Sequence, residues 1–149
     1  MLRIAICDDT QTELEQISAL TNEYVATHNL VADVRAFSHP DELLTVCETE
    51  TFHIFLLDMV MPMINGLELG RSIRRIDTDA QIIYITAEPG YALDAYAIHP
   101  LHYLLKPVNK QALLAALDLA GEKARVENVT VTIKTRDGLR TFFADSVAY

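Results

Sequence analysis

The sequence predicts an α/β protein in which a doubly wound, five-stranded parallel sheet carries helices on both faces. One observation is an alternation: between residues 2 and 125, short runs rich in β-branched residues are each followed by a polar turn and a helical pattern, five times. A second is the apolar character of the first run, LRIAIC at 2–7, which is typical of a strand buried on both faces. Parallel strands need such helical crossovers because a tight turn cannot join them.

The predicted strands follow the short apolar runs of this alternation. In the second run, polar Asp33 and Arg35 interleave with apolar residues, which an edge strand tolerates. The five predicted strands are residues 2–7, 31–37, 54–57, 82–86 and 103–105.

Helices are predicted where apolar residues recur every three or four positions. The first stripe runs from Leu14 to Tyr24, inside a predicted helix over residues 11–28. Ser38, with Asp41 three residues later, predicts a capping box at the start of the second helix. The later helices are predicted around residues 67–76, 91–97 and 109–125.

Residues 126–149 break the pattern and are predicted to be a linker followed by a β-hairpin. Apolar residues alternate with polar ones over 129–133, and Asp137-Gly138 supplies a turn before a second alternating run over 139–143. An isolated hairpin is marginally stable in water. The segment therefore fits either the start of a further β-rich domain or an edge that packs on another chain.

Composition and charge exclude several classes of protein. Half of the 149 residues are apolar and 22% are charged, as in a globular protein with a sizeable core. The formal net charge of -9 disfavours nucleic-acid binding by this chain as a whole. No apolar run approaches the roughly 20 residues of a membrane helix, and the first residues lack a secretory pattern, so we expect no membrane association and a cytoplasmic location.

Polar residues that could carry chemistry follow four of the predicted strands. Ligands of open parallel sheets bind beyond the carboxyl ends of the strands, where the strand order reverses. In a sheet of order 2-1-3-4-5 that point lies between strands one and three, and it would bring three carboxylates into one pocket. The residues concerned are Asp8 and Asp9 after strand one, Asp58 after strand three, Thr86 at the end of strand four and Lys106 after strand five.

Three neighbouring carboxylates predict a site for a hard divalent cation. They cannot all stay ionised without a large cost unless a cation joins them. Mg²⁺ takes oxygen ligands and leaves positions open for water or phosphate. Together with a lysine and a hydroxyl, this arrangement favours phosphoryl transfer to a carboxylate.

Four motifs occur in the order and spacing of a known family. They are CDD at 7–9, LLDMVMPMINGLEL at 56–69, ITA at 85–87 and YLLKP at 103–107, with the turn after Asp58 counted within the second. Over residues 1–125 the sequence resembles the receiver domain of two-component response regulators. The resemblance implies a flavodoxin-like fold of strand order 2-1-3-4-5 and a commonly cis Lys106–Pro107 peptide.

The resemblance also implies a role for each candidate residue. Asp58 matches the phosphoacceptor, and Lys106 the residue that pairs with the phosphoryl group. Thr86 and Tyr103 match a switch pair, in which a hydroxyl moves toward the phosphoryl group and an aromatic ring turns inward. The metal ligands implied for Mg²⁺ are Asp8, Asp9, Asp58 and the backbone carbonyl of Val60.

A second, narrower resemblance concerns the output of the protein. The segments AEPGYALDAYAIHPLHYLLKP at 87–107 and TVTIKTRDGLRTFFADSVAY at 130–149 resemble regulators that carry a LytTR-type DNA-binding domain. Only about the first 20 residues of such a domain would be present. The resemblance implies that DNA contacts are made by residues outside this sequence.

Three alternatives differ from this interpretation in the chemistry they require. A haloacid-dehalogenase-like phosphatase needs a second aspartate two residues after the nucleophile, where this sequence has Val60. A flavodoxin-like electron carrier must cradle a phosphate in its first loop, which Asp8 and Asp9 would repel. A receiver that serves only as a protein-docking module, without DNA output, remains open.

The expected function is that of a phosphorylation-controlled regulator. A sensor histidine kinase would transfer a phosphoryl group to Asp58 and shift an existing equilibrium between two surfaces. Residues 88–125 are expected to form the changing surface and a homodimer interface. Autodephosphorylation would be self-limiting, so we do not expect an enzyme.

Overall fold

Five parallel strands form one sheet at the centre of the protein. The computed structural model describes residues 1–137, and their side chains as far as residue 124. The strand order is β2-β1-β3-β4-β5, which confirms the predicted order and the edge position of the second strand. The strands are β1 (Leu2–Cys7), β2 (Ala32–Phe37), β3 (Ile54–Leu57), β4 (Gln81–Thr86) and β5 (His102–Leu105).

Helices connect the strands and cover both faces of the sheet. They are α1 (Gln11–Thr27), α2 (Pro40–Cys47), α3 (Gly66–Ile76), α4 (Ala92–Ala95) and α5 (Lys110–Asp137). Single 3₁₀ turns at Pro89–Tyr91 and Tyr96–Ile98 extend the short α4 on both sides. Among the described residues, none of these helices combines the length and the apolar character that a bilayer span requires.

Each face of the sheet contributes to its own apolar core, because side chains alternate between the two faces of a strand. On one face, Ile4, Ile6 and Leu56 pack with apolar residues of α1 and α5. On the other face, Leu57 and Tyr84 pack with residues of α2, α3 and the segment around α4. Strands β1, β3 and β4 are buried on both sides, which explains why they read as continuous apolar runs.

The starts of α2 and α3 differ in how they are capped. The predicted capping box at Ser38 is wrong, since α2 begins at Pro40 with His39 at the N-cap and no side-chain hydrogen bond there. Proline at the first helical position sets the helical φ angle without a cap. At α3 a capping box is present: Asn65 accepts from the Glu68 amide, and the Glu68 side chain accepts from the Asn65 amide.

The end of α5 also departs from the sequence-based expectation. We predicted a helix ending near Arg125 and a first hairpin strand over 129–133, whereas α5 continues to Asp137. A strand needs neighbouring strands for its backbone hydrogen bonds, while a helix makes its own. The predicted second strand, 139–143, lies outside the described residues.

Candidate functional site

Three aspartates meet at the carboxyl-terminal edge of the sheet. Asp8, Asp9 and Asp58 each place a carboxylate oxygen within 4.8 Å of the others. Asp8 and Asp58 are buried, with 1% and 5% of their surfaces exposed, and Asp9 is exposed. The structure therefore brings together the three carboxylates that were predicted to share one pocket.

The pairing of β1 with β3 explains this convergence. Cys7 lies opposite Leu57 in the parallel register, so the residues that follow them leave the sheet at the same level. The Asp58 amide donates to the Cys7 carbonyl at 3.0 Å, which extends the pairing by one residue. The Asp8 carboxylate is oriented in turn by the Thr10 amide, which donates to it at 2.9 Å.

Lys106 reaches the same pocket from the end of β5. Its Nζ lies 2.9 Å from Asp8 Oδ2 and 3.5 Å from Asp58 Oδ2, and it also contacts the Glu13 carboxylate. Burial acts to lower the pKa of Lys106, but the hydrogen bonds with Glu13 and Asp8 and the charge of Asp58 outweigh it, so the pKa is raised. The ammonium group is therefore held charged. The Lys106–Pro107 peptide is cis, as the family resemblance implies.

Asp58 occupies an environment that disfavours its charge. Burial raises its pKa above the ordinary value for aspartate, and the charge of Asp8 raises it further. Lys106, a hydrogen bond from the Thr86 hydroxyl and the Met59 amide act in the opposite direction. The Met59 amide donates to Asp58 Oδ1 at 2.8 Å. The pKa of Asp58 is raised because these favourable interactions do not fully offset the cost of burying the charged carboxylate.

The loop after β3 approaches α3 too closely for a side chain at Gly66. The Gly66 amide donates to the Met59 carbonyl at 2.8 Å. A Cβ atom on Gly66 would lie 2.5 Å from the Asp58 carbonyl oxygen and 2.8 Å from the Met59 Cα. Glycine at this position thus fixes the backbone that carries Asp58. In the same loop, Val60 turns its side chain outward and is 54% exposed.

Thr86 and Tyr103 lie beside the pocket and are linked through Glu88. Thr86 is buried, and its hydroxyl accepts from the Glu88 amide at 3.3 Å. The Tyr103 hydroxyl donates to the Glu88 carbonyl at 2.5 Å. The Tyr103 ring lies 6.0 Å from the ring of buried Tyr84. One short segment after β4 therefore contacts both of the predicted switch residues.

Comparison with known proteins identifies the family to which this site belongs. The family described as the response regulator receiver domain matches residues 4–118. The chain is a member of the response regulator receiver family. This match confirms the resemblance inferred from the four motifs.

Curated relatives of this receiver include regulators of the LytT and LytR type. An uncharacterised response regulatory protein of Yersinia pestis is 32% identical over 86% of the chain and 52% of its own length. The positive alginate biosynthesis regulatory protein of Pseudomonas aeruginosa is 28% identical over 88% of the chain and 52% of its own length. The sensory transduction protein LytT of Oceanobacillus iheyensis is 29% identical over 78% and 47%. The chain thus spans about half the length of these relatives.

Solved receiver structures share the fold described above. The receiver domain of AraT from Geobacillus stearothermophilus is 27% identical, with a TM-score of 0.73 over 85% of this chain and 98% of its own. The response regulator TrrA of Thermotoga maritima, in complex with Mg²⁺ and BeF, is 26% identical, with a TM-score of 0.70 over 80% and 99%. These likenesses confirm the flavodoxin-like fold.

One residue of the receiver site was missed by the sequence analysis. Glu13 lies in the first turn of α1 and contacts Lys106 across the fold, 93 positions along the chain. The only signal in the sequence is an acidic residue soon after Asp8-Asp9, which is also the ordinary preference of a helix N-terminus. The contact depends on how α1 packs beside the end of β5, so the sequence pattern alone could not distinguish it.

Proposed function

We propose that this receiver accepts a phosphoryl group on Asp58 from a sensor histidine kinase. The observation that supports this most directly is the setting of Asp58: a buried carboxylate with a raised pKa, 3.5 Å from a charged lysine. The negative charge of this carboxylate is only partly offset by its neighbours. Such a carboxylate can act as a nucleophile toward an electrophile that binds together with a cation.

The acidic pocket fits Mg²⁺ as the accompanying cation. Asp8, Asp9 and Asp58 would hold the ion with the Val60 backbone carbonyl, an all-oxygen set that suits a hard divalent cation. Receiver domains bind Mg²⁺ at an acidic pocket, and the Thermotoga maritima relative is in complex with Mg²⁺ and BeF. When bound, Mg²⁺ would neutralise charge on the phosphoryl oxygens.

The transfer step is a displacement at phosphorus. An oxygen of the Asp58 carboxylate forms the new P–O bond while the P–N bond of the phosphohistidine breaks, and the imidazole leaves with the bonding electron pair and takes up a proton. With acetyl phosphate the leaving group is acetate. Lys106 donates to a phosphoryl oxygen, and the Thr86 hydroxyl is positioned to donate to another.

Thr86 and Tyr103 are proposed to transmit the change. In the present structure the Thr86 hydroxyl hydrogen-bonds to Asp58, and Tyr103 is bonded to the Glu88 carbonyl. A phosphoryl group would draw Thr86 toward itself, move the segment around Glu88 and release Tyr103 to turn inward. The equilibrium between two arrangements of residues 88–125 would shift accordingly.

A homodimer is the proposed consequence on the surface of residues 88–125. Four large apolar residues are exposed there: Leu93, Tyr96, Leu105 and Leu119. Covering them in a symmetric interface would remove apolar surface from water. Sedimentation velocity with Mg²⁺ and beryllofluoride should show dimers, and monomers in both the presence and the absence of the mimic would contradict this part of the proposal.

Transcriptional control through a LytTR-type domain is the proposed output. Residues 1–125 would form the receiver, and residues 126–149 would form the linker, which includes the last part of α5 up to Asp137, and the start of the DNA-binding domain. The similarity to regulators of the LytT and LytR type supports this assignment. We propose that the protein acts in the cytoplasm as a phosphoacceptor and not as an enzyme.

Intact-mass analysis after incubation with Mg²⁺ and acetyl phosphate tests the central claim. We expect the wild-type protein to gain one phosphate and Asp58→Asn to gain none. Asp41→Asn, in an exposed part of α2, is the matched control and should be labelled like the wild type. Absence of labelling in the wild type would overturn the phosphoacceptor proposal and favour a docking module that works without phosphorylation.

A further inference from the structure

Lys106 is shared by carboxylates from three different parts of the fold. Asp8 follows β1, Asp58 follows β3, and Glu13 belongs to the first turn of α1. The ammonium group has three N–H donors and no acceptor. Its contacts with Asp8 and Glu13 are within hydrogen-bond distance, whereas Asp58, at 3.5 Å, is beyond a good hydrogen bond.

Glu13 differs from the other two carboxylates in its position. The carboxylates that lie within 4.8 Å of one another are those of Asp8, Asp9 and Asp58, and Glu13 is not among them. It contacts Lys106 beside a cavity of about 90 Å³ between α1 and the segment after β5. The Glu13 side chain is 39% exposed and that of Lys106 is 12% exposed. Glu13 is thus placed to hold the lysine without belonging to the set that would bind Mg²⁺.

A phosphoryl group on Asp58 would compete with Glu13 for this lysine. The group brings additional negative charge and strong acceptor oxygens to the place that Lys106 now approaches. Because Asp58 is 3.5 Å away, the ammonium group of Lys106 would move toward the phosphoryl oxygens and away from its present partners. Glu13 is the partner whose loss leaves the proposed metal ligands in place. The Glu13 carboxylate also adds negative charge beside a pocket that an anionic phosphodonor must enter.

We propose that Glu13 is a positioning residue that restrains Lys106 in the unphosphorylated receiver and thereby slows phosphorylation of Asp58. This inference rests on the proposed phosphoacceptor function. It assigns to α1 an influence on the reactivity of the site that is exerted through Lys106. Glu13 does not touch the reacting atoms and acts through Lys106.

Two substitutions separate the contact from the charge. Glu13→Gln removes the charge and keeps the length of the side chain, while Glu13→Asp keeps the charge and shortens the side chain by one methylene, which withdraws it from Lys106. Glu15→Gln is the matched control, because Glu15 lies two residues along the same helix, is exposed and contacts Gln11.

The rate of acyl phosphate formation is measured by intact mass with acetyl phosphate at saturating Mg²⁺. We expect Glu13→Gln and Glu13→Asp to react faster than the wild type by about two- to five-fold, the size expected for loss of a partly exposed ion pair. Glu15→Gln should react at the wild-type rate. Loss of a merely structural contact would not accelerate the reaction, so a rate for Glu13→Gln equal to or below that of the wild type would overturn the inference.

A second readout avoids the chemical step. The affinity for beryllofluoride at saturating Mg²⁺, followed through the Thr86 amide resonance, should rise by a similar factor in both Glu13 variants. If Glu13→Asp keeps wild-type affinity and rate, the contact with Lys106 has no role and the inference is wrong. If the wild type itself takes up no phosphate, the phosphoacceptor proposal fails; if it is labelled and the Glu13 variants match it, only the Glu13 inference fails.

Discussion

The two ends of the sheet both carry clusters of charged residues, but the balance of positive and negative charge differs between them. At the carboxyl end, three carboxylates contact a single ammonium group, those of Asp8, Asp58 and Glu13 around Lys106. A fourth carboxylate, that of Asp9, lies within 4.8 Å of those of Asp8 and Asp58. Near the starts of β1 and β2, two guanidinium groups meet two carboxylates; Arg3 contacts Asp33 and Glu50, and Arg35 contacts Glu50. The first cluster has an excess of negative charge, and the second is balanced.

The pKa directions of two carboxyl groups express this difference. Burial and the charge of Asp8 raise the pKa of Asp58. Hydrogen bonds from Arg3 and Arg35 lower the pKa of Glu50. The side chain of Glu50 is 36% exposed and that of Asp58 is 6% exposed. The balanced cluster is partly exposed and connects strands, whereas the buried cluster with excess negative charge is available for a cation and a reaction.

The largest expected effect comes from a change in the backbone that supports the carboxyl-end cluster. In Gly66→Ala, the new Cβ would meet the Asp58 carbonyl oxygen at 2.5 Å, and backbone atoms must shift. We expect a loss of about 1–3 kcal/mol in the free energy of unfolding, measured with urea, and slower labelling by acetyl phosphate. Gly90→Ala is the control, because its Cβ would meet only the movable Glu88 side chain. Equal losses in the two variants would contradict the role of Gly66.

The second-largest expected effect is a gain in stability when Asp58→Asn removes the buried charge. Because the folded-state pKa of Asp58 is raised, the folded protein binds a proton more readily than the unfolded chain, and stability falls as the pH rises above about 4. With EDTA at pH 7, Asp58→Asn should therefore unfold at a higher urea concentration, by on the order of 1 kcal/mol. The gain should shrink as the pH is lowered toward about 4. A variant less stable than the wild type at pH 7 would contradict the excess of charge at this end.

The smallest effect is expected at the balanced cluster, and with the opposite sign. The lowered pKa of Glu50 means that its contribution to stability is present above the unfolded-state value of about 4.5 and is lost as the pH falls through the folded-state pKa. Glu50→Gln should lower the urea midpoint slightly at pH 7 and less so in 1 M salt, as expected for partly exposed ion pairs. Labelling by acetyl phosphate should be unchanged. Glu48→Gln, an exposed neighbour, serves as the control, and a larger effect of Glu50→Gln than of Asp58→Asn would reverse the comparison.

Much of the fold and part of the site could be predicted because they depend on local pattern and strand order. The first strand was predicted at its observed bounds. Asp8, Asp9, Asp58 and Lys106 converge because they directly follow strands of the same parallel sheet. The start of α2 at Pro40 and the continuation of α5 to Asp137 were not predicted. The capping signal at Ser38 and the alternation over 129–133 are local patterns, and the backbone adopts a different structure at both places.

The sequence by itself determined the order of strands and helices and the carboxylates at the strand ends, because the period of apolar residues sets which faces are buried. The tertiary structure alone decided which further residues contact these strand-end groups. Glu13 reaches Lys106, and Tyr103 reaches the Glu88 carbonyl, through packing between elements that are distant in the chain or separated by a crossover. The energies of ion pairs and hydrogen bonds depend on distances of a few ångströms between atoms. Those distances are fixed only when the elements pack together.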